Sequence, residues 1–151
     1  MLPIRTILCP LDFSESSFKA LTTAIELAAH FQAELVLIHV ISAAVPGLPA
    51  EPAFAFEGPE DYEKALRVKA EEQLTLAARR IPPELQFRKV VGNGHAADEI
   101  VRLATTEAAD LVVICTHGLT GWRHLVFGSV AEKVIRLALR PVLVIPAHES
   151  K

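Results

Sequence analysis

The chain has 151 residues, 51% of them hydrophobic and 22% charged, and a formal net charge of -3. That length supports one domain, and the apolar content excludes a disordered chain. The mild acidity argues against a nucleic-acid surface, which needs clustered Lys and Arg.

Strand and helix patterns alternate from the start. Ile4 to Leu11 predicts a buried strand. Ser14 to Phe31 predicts a helix with Phe18, Leu21, Ala24, Ile25 and Ala28 on one face, and Ser14 is its expected N-cap. Glu34 to Ile41 is an apolar run of strand length. Residues 42–59 hold Pro46, Gly47, Pro49, Pro52 and Gly58 without periodicity and predict an inserted loop. Glu60 to Arg80 predicts a long helix, stopped by Pro82-Pro83. Gln86 to Val91 predicts a strand, followed by a turn at Gly92-Asn-Gly94. Ala97 to Glu107 predicts a helix with Ile100, Leu103 and Ala104 inward. Leu111 to Cys115 predicts a strand, Ser129 to Leu139 a helix, and Pro141 to Ile145 a last strand.

Five short apolar strands linked by helices imply an α/β fold, a single doubly wound domain whose parallel sheet carries helices on both faces. Ligands of such sheets sit beyond the carboxyl ends of the strands, where the winding direction switches. The residues to search are therefore those near Leu11/Asp12, Val40, Val91 and Cys115.

Gly118 to Ser129 is the most distinctive stretch. It links an apolar strand to a helix start through a glycine-punctuated loop. Main-chain N–H groups there can surround a phosphate. Ser129-Val-Ala-Glu132 also fits a capping box, which by itself accounts for Ser129 and Glu132. Both readings stay open on the residues alone. Asp12, after the first strand, suits ribose hydroxyls or a metal held beside phosphates, and equally a helix start that favours acidic groups. Arg123 suits phosphate oxygens, or a solvated loop. His39 falls inside a strand, where a satisfied imidazole is expected. Cys9 and Cys115 have no metal-ligand spacing and are expected to be inert thiols.

Gly92-Asn-Gly94-His-Ala-Ala97 matches the dinucleotide fingerprint formally. It lies in the third βα unit, where the first is usual, and Asp110 begins a strand instead of ending one. No G-x-x-x-x-G-K-[ST] and no G-x-S-x-G occurs. No nucleophile–base pair can be located either.

The chain resembles the universal stress protein family over nearly its whole length. The resemblance rests on Ile7-Leu-Cys-Pro-Leu-Asp-Phe-Ser14, on Leu37-Ile-His-Val40, on Thr116 to Val134, and on Arg140-Pro-Val-Leu-Val-Ile-Pro146. The nucleotide-binding branch carries G-x-x-G-x(9)-G-[ST]. Gly118, nine residues and Gly128-Ser129 fit that pattern, while Cys115 stands where the first glycine belongs. The resemblance implies strand order 3-2-1-4-5 and a homodimer paired through Val142, Leu143, Val144 and Ile145. It implies ATP, or ADP or AMP, with Mg2+ or Mn2+ on the phosphates. Carried over by position, Pro10, Leu11 and Asp12 flank adenosine and Val40 meets adenine through its main chain. Ile114 and Cys115 line the floor. Gly118, Gly128, Ser129, Val130 and Ala131 hold the phosphates.

The expected protein is thus a cytoplasmic, homodimeric, nucleotide-binding sensor or regulator with little or no turnover. Two other classes stay open: a slow ATPase or phosphotransfer protein using Ser129, and a dimeric interaction module that binds no nucleotide. Neither a membrane span of roughly 18 apolar residues nor a basic leader followed by a long apolar core is expected.

Overall fold

The computed structural model of the chain describes residues 3–42, 58–116 and 127–147. The elements alternate as β1 (Thr6–Pro10), α1 (Glu15–Phe31), β2 (Glu34–Ser42), α2 (Pro59–Ala78), β3 (Phe87–Gly94), α3 (Ala96–Thr106), β4 (Leu111–Cys115), α4 (Ser129–Leu137) and β5 (Val142–Ile145). The strands form one sheet in the order β3-β2-β1-β4-β5, and all four pairings are parallel. The expected doubly wound architecture is therefore present.

The two-residue period of the strands divides the core cleanly. Ile7, Cys9, Leu35, Leu37, Leu111, Val113 and Cys115 pack with α1 and α2 residues such as Leu21, Ala24, Ala28 and Leu74. Leu8, Val36, Ile38, Val112 and Ile114 pack on the other face, against Ala97, Ile100 and Leu103 of α3 and Ala131 and Val134 of α4. Ile7, Leu8, Leu35, Leu37, Ile38 and Val113 are completely buried. At about 1.5–3 kcal/mol for each large side chain removed from water, these strands are the main source of stability. Continuous burial on both faces explains why they read as unbroken apolar runs instead of alternating ones.

Several boundaries differ from the sequence expectation. β1 stops at Pro10, because Leu11 already begins the departure toward α1. α2 spans Pro59–Ala78, with the proline in its first turn, where a missing N–H is harmless. α4 ends at Leu137. The expected turn at Gly92-Asn-Gly94 is instead the end of β3, paired as Val40↔Gly92, Ile41↔Asn93 and Ser42↔Gly94. Ser42 therefore belongs to β2 and Pro59 to α2; residues 43–57 of the expected loop lie outside the described residues.

Gly92 owes its identity to Glu99. A Cβ at position 92 would lie 2.7 Å from Glu99 Cγ and 2.9 Å from Oε1. The carboxylate is gripped by Arg102, whose Nε and Nη2 donate at 2.7 and 2.6 Å. A carboxylate folded over this glycine is hostile to a pyrophosphate, so the formal fingerprint is not a dinucleotide cradle.

Arg102 holds the Glu99 carboxyl below its ordinary range against the opposing effect of burial, and the Asn93 main chain adds to the lowering. A lowered folded-state pKa contributes stability above the unfolded value, and that stability is lost as pH falls through the folded value. The Glu99→Gln variant is therefore expected to lose only about 0.2–1 kcal/mol at pH 7, since Arg102 is more than half exposed and the pair is screened by solvent. In urea denaturation the deficit should shrink steadily from pH 5 to pH 2. A deficit that is constant across that range contradicts the assignment.

Candidate functional site

The sheet order places β1 beside β4. β1 leads to α1 on one face and β4 leads to α4 on the other, so a crevice opens where the two strands part. Its walls are the β1–α1 junction and the start of α4, and β2 borders it beyond β1.

The β1–α1 junction is held by short-range hydrogen bonds. Asp12 Oδ1 accepts the Ser14 amide at 2.9 Å and the Ser14 hydroxyl at 2.5 Å. Ser14 Oγ in turn accepts the Ser17 amide at 3.2 Å, the expected N-cap of α1. Between them Phe13 takes the left-handed conformation, with φ 64°. A non-glycine residue there carries a cost on the order of 1 kcal/mol. The Phe13 ring packs against His39, with centroids 4.6 Å apart. His39 Nδ1 lies 2.7 Å from the Leu11 carbonyl oxygen. A carbonyl only accepts, so Nδ1 carries the proton. His39 is thus the satisfied imidazole that the sequence suggested, and its partner holds the rim of the crevice.

At the opposite wall, α4 begins at Ser129 and its N-cap is Gly128. Ser129 is inside the helix, so the S-x-x-E capping box is not formed. The cap position has no side-chain hydrogen bond. The first helical bond runs from the Glu132 amide to the Gly128 carbonyl at 3.0 Å. The amides of Ser129, Val130 and Ala131 precede it, at the positive end of the helix. Gly128 has φ -72° and ψ 157°, an extended conformation that any residue adopts. Its glycine is thus not required by the backbone angles there.

Thr116, which the sequence reading passed over, joins these parts. Its amide donates to the Ile145 carbonyl at 2.9 Å, and its carbonyl accepts the Gly128 amide at 2.6 Å. Its hydroxyl accepts the Ala147 amide at 3.0 Å. One residue thereby pins the end of β4, the end of β5 and the entry to α4. Its only sequence signal is a polar residue directly after an apolar run. Phe13's left-handed backbone and the His39 contact leave no local sequence signal.

Other expected site residues divide as follows. Pro10 and Leu11 are buried at the end of β1, and Asp12 is half-buried. Ile114 packs toward α3 and α4, whereas Cys115 packs toward α1. Alternation thus sends their two side chains to opposite faces. Cys9 and Cys115 are buried on the same face and are not joined in a disulfide. Burial, with a smaller contribution from Cys115, pushes the Cys9 thiol far above its ordinary range, which suits an inert group. Val130 is partly exposed and Ala131 is buried. Gly118 and Arg123 lie outside the described residues. Among the described residues no group of three His, Cys, Asp or Glu side chains could hold a metal ion, and no helix is long and apolar enough to cross a membrane.

The profile of the universal stress protein family matches residues 3–146. Universal stress protein MJ0531 of Methanocaldococcus jannaschii is 35% identical over 144 residues, which cover 93% of this chain and 81% of that one. The solved structure of MJ0577, a universal stress protein of the same organism, superimposes with a TM-score of 0.77 at 25% identity, covering 99% of this chain and 100% of that one. The universal stress protein of Archaeoglobus fulgidus, solved in complex with dAMP, has a TM-score of 0.63 and 24% identity, covering 96% and 99% of the two chains. At that identity the likeness is one of fold. The chain belongs to the universal stress protein family.

Proposed function

We propose that the protein is a cytoplasmic, homodimeric sensor or regulator that binds ATP, or ADP or AMP, in the crevice between β1 and β4. The observation that carries this reading is the start of α4, where the cap is a glycine with no side chain to bond the opening amides and the helix end stands beside the sheet's switch point. Such a helix start favours an oxyanion both through its N–H groups and through its dipole. The dAMP complex of a neighbour with the same fold supports an adenine nucleotide as the ligand.

In this reading Ser129, Val130 and Ala131 donate main-chain N–H groups to the phosphates, beside Gly128. Gly118 and Arg123 complete the loop. Asp12 accepts ribose hydroxyls, next to Pro10 and Leu11. The main chain of Val40 meets the adenine edge, and Ile114 and Cys115 lie beneath. A divalent cation, Mg2+ or Mn2+, would neutralise phosphate charge. The described residues supply no cluster to cage it, so the phosphates would be its main ligands, with Asp12 as the nearest protein carboxylate in this reading.

The dimer would form through β5. This strand bonds to β4 on one side only and ends the sheet. Leu143 is 38% exposed on it, and Leu139, just before it, is 85% exposed. An uncovered apolar edge strand is a template for pairing with a second copy.

Calorimetric titration should show saturable binding of ATP; no heat with ATP, ADP or AMP contradicts the function. Gly128→Val should fill the phosphate space and abolish binding, yet unfold like the parent, because the Gly128 backbone angles suit valine. Undiminished affinity counts against the α4 assignment. Asp12→Ala should weaken ATP binding by about tenfold to a hundredfold, the range for a hydrogen bond to a charged group; unaltered affinity removes Asp12 from the site. Leu143→Asp should convert a dimer to a monomer in sedimentation velocity, and a variant that stays dimeric excludes β5 as the interface.

A further inference from the structure

The ladder between β1 and β2 stops one bond early. In a parallel pair, a residue facing its neighbour donates one bond through its amide and accepts the next through its carbonyl. Leu11 makes the first of these, donating to the Ile38 carbonyl at 2.8 Å. The second bond would run from the Val40 amide to the Leu11 carbonyl. Bridging between the strands ends instead at Pro10↔Ile38. The Leu11 carbonyl is taken by His39 Nδ1 at 2.7 Å.

We infer that His39 is a positioning residue that intercepts the Leu11 carbonyl and so keeps the Val40 amide available to the edge of a purine base. This rests on the proposed nucleotide site and adds the reason that β2 can offer a main-chain donor there. Alternation along β2 puts the N–H and C=O of Val40 on the same side as those of Ile38, toward β1. Leu11 still lies beside β2 there, but its carbonyl, the one partner in reach of the Val40 amide on β1, is already taken. A donor and an acceptor from one residue then face the crevice side by side. This pair complements a base edge that carries an acceptor next to an amino group, as adenine does at N1 and N6. Guanine presents the reverse order at the corresponding atoms, a carbonyl and an N–H. The Phe13 ring against His39 keeps the imidazole in place, and Phe13 adopts its left-handed backbone in doing so.

The test combines amide exchange with binding. In the parent without ligand, the Val40 amide should exchange much faster than that of Leu37, and saturating ATP should slow it. In His39→Leu the Val40 amide should recover its bond to Leu11 and exchange slowly before any ligand is added. ATP affinity should fall about threefold to tenfold, the range for one net hydrogen bond. Asparagine places an amide N–H where Nδ1 stands in histidine, whereas glutamine places it one bond further out. His39→Asn should therefore restore both readouts and His39→Gln should not; a merely structural role for the ring predicts that both fail alike. Two results overturn the inference: a Val40 amide as protected as Leu37 in the free parent, or a His39→Leu variant with parental exchange and affinity. Should exchange behave as expected while the parent binds no adenine nucleotide, the interception stands and the nucleotide reading falls.

Discussion

The geometry of the crevice depends on what happens to the main chain at Thr116. There β4 ends, and the chain must reach α4 on the face opposite α1. Thr116 satisfies its own amide on β5 and gives its carbonyl to Gly128. That backbone bond ties the end of β4 directly to the entry of α4. Its hydroxyl holds the exit of β5. A buried polar residue that made fewer of these bonds would cost stability, at about 1–3 kcal/mol for each group left unsatisfied. With them made, the entry to α4 is tied to the ends of β4 and β5.

The opposite rim is built by different means. It has no long-range ladder to rely on, so it uses side chains close in sequence. Asp12 and Ser14 fold the junction back on itself, and Ser14 also opens α1. The left-handed Phe13 is an unfavourable conformation that persists because its neighbours determine it: a hydrogen-bonded turn on one side and the His39 ring on the other. Among the described residues both rims are thus held by hydrogen bonds of the protein itself. A rim of this kind spends little binding energy on ordering the protein. Further out on α1, Phe13, Glu15, Phe18, Lys19, Thr22 and Arg80 line an open groove of about 410 Å³. Arg80 lies over the Phe18 ring at 4.1 Å there, an interaction that ties the end of α2 to α1.

The sheet was legible in the sequence because burial on both faces leaves uninterrupted apolar runs, and Leu35–Ile38 or Leu111–Ile114 need no context to be recognised. The helix faces were legible for a related reason, since Leu21, Ala24 and Ala28 recur at helical spacing. What sequence patterns misjudged were places where a distant side chain decides the outcome. Gly92 looked like a turn because glycine usually breaks a strand, but it is there to make room for Glu99. The S-x-x-E spacing at Ser129 left a cap and an anion site both open because it is local; in the fold the cap position falls to Gly128, whose amide is bonded to Thr116. The order of the strands came from family resemblance and not from periodicity. The interception of the Leu11 carbonyl by His39 could not be read at all, because it concerns which of two donors reaches one acceptor.

The central claim is that the opening turn of α4 receives the phosphates of an adenine nucleotide. The most direct measurement is a titration of 15N-labelled protein with ATP and Mg2+, following the amide resonances of Ser129, Val130 and Ala131. The account predicts saturable shifts of all three, with the Leu103 and Ala104 amides of α3 left in place. Unmoved resonances at Ser129, Val130 and Ala131 while ATP binds elsewhere, or no response to ATP anywhere, would contradict it.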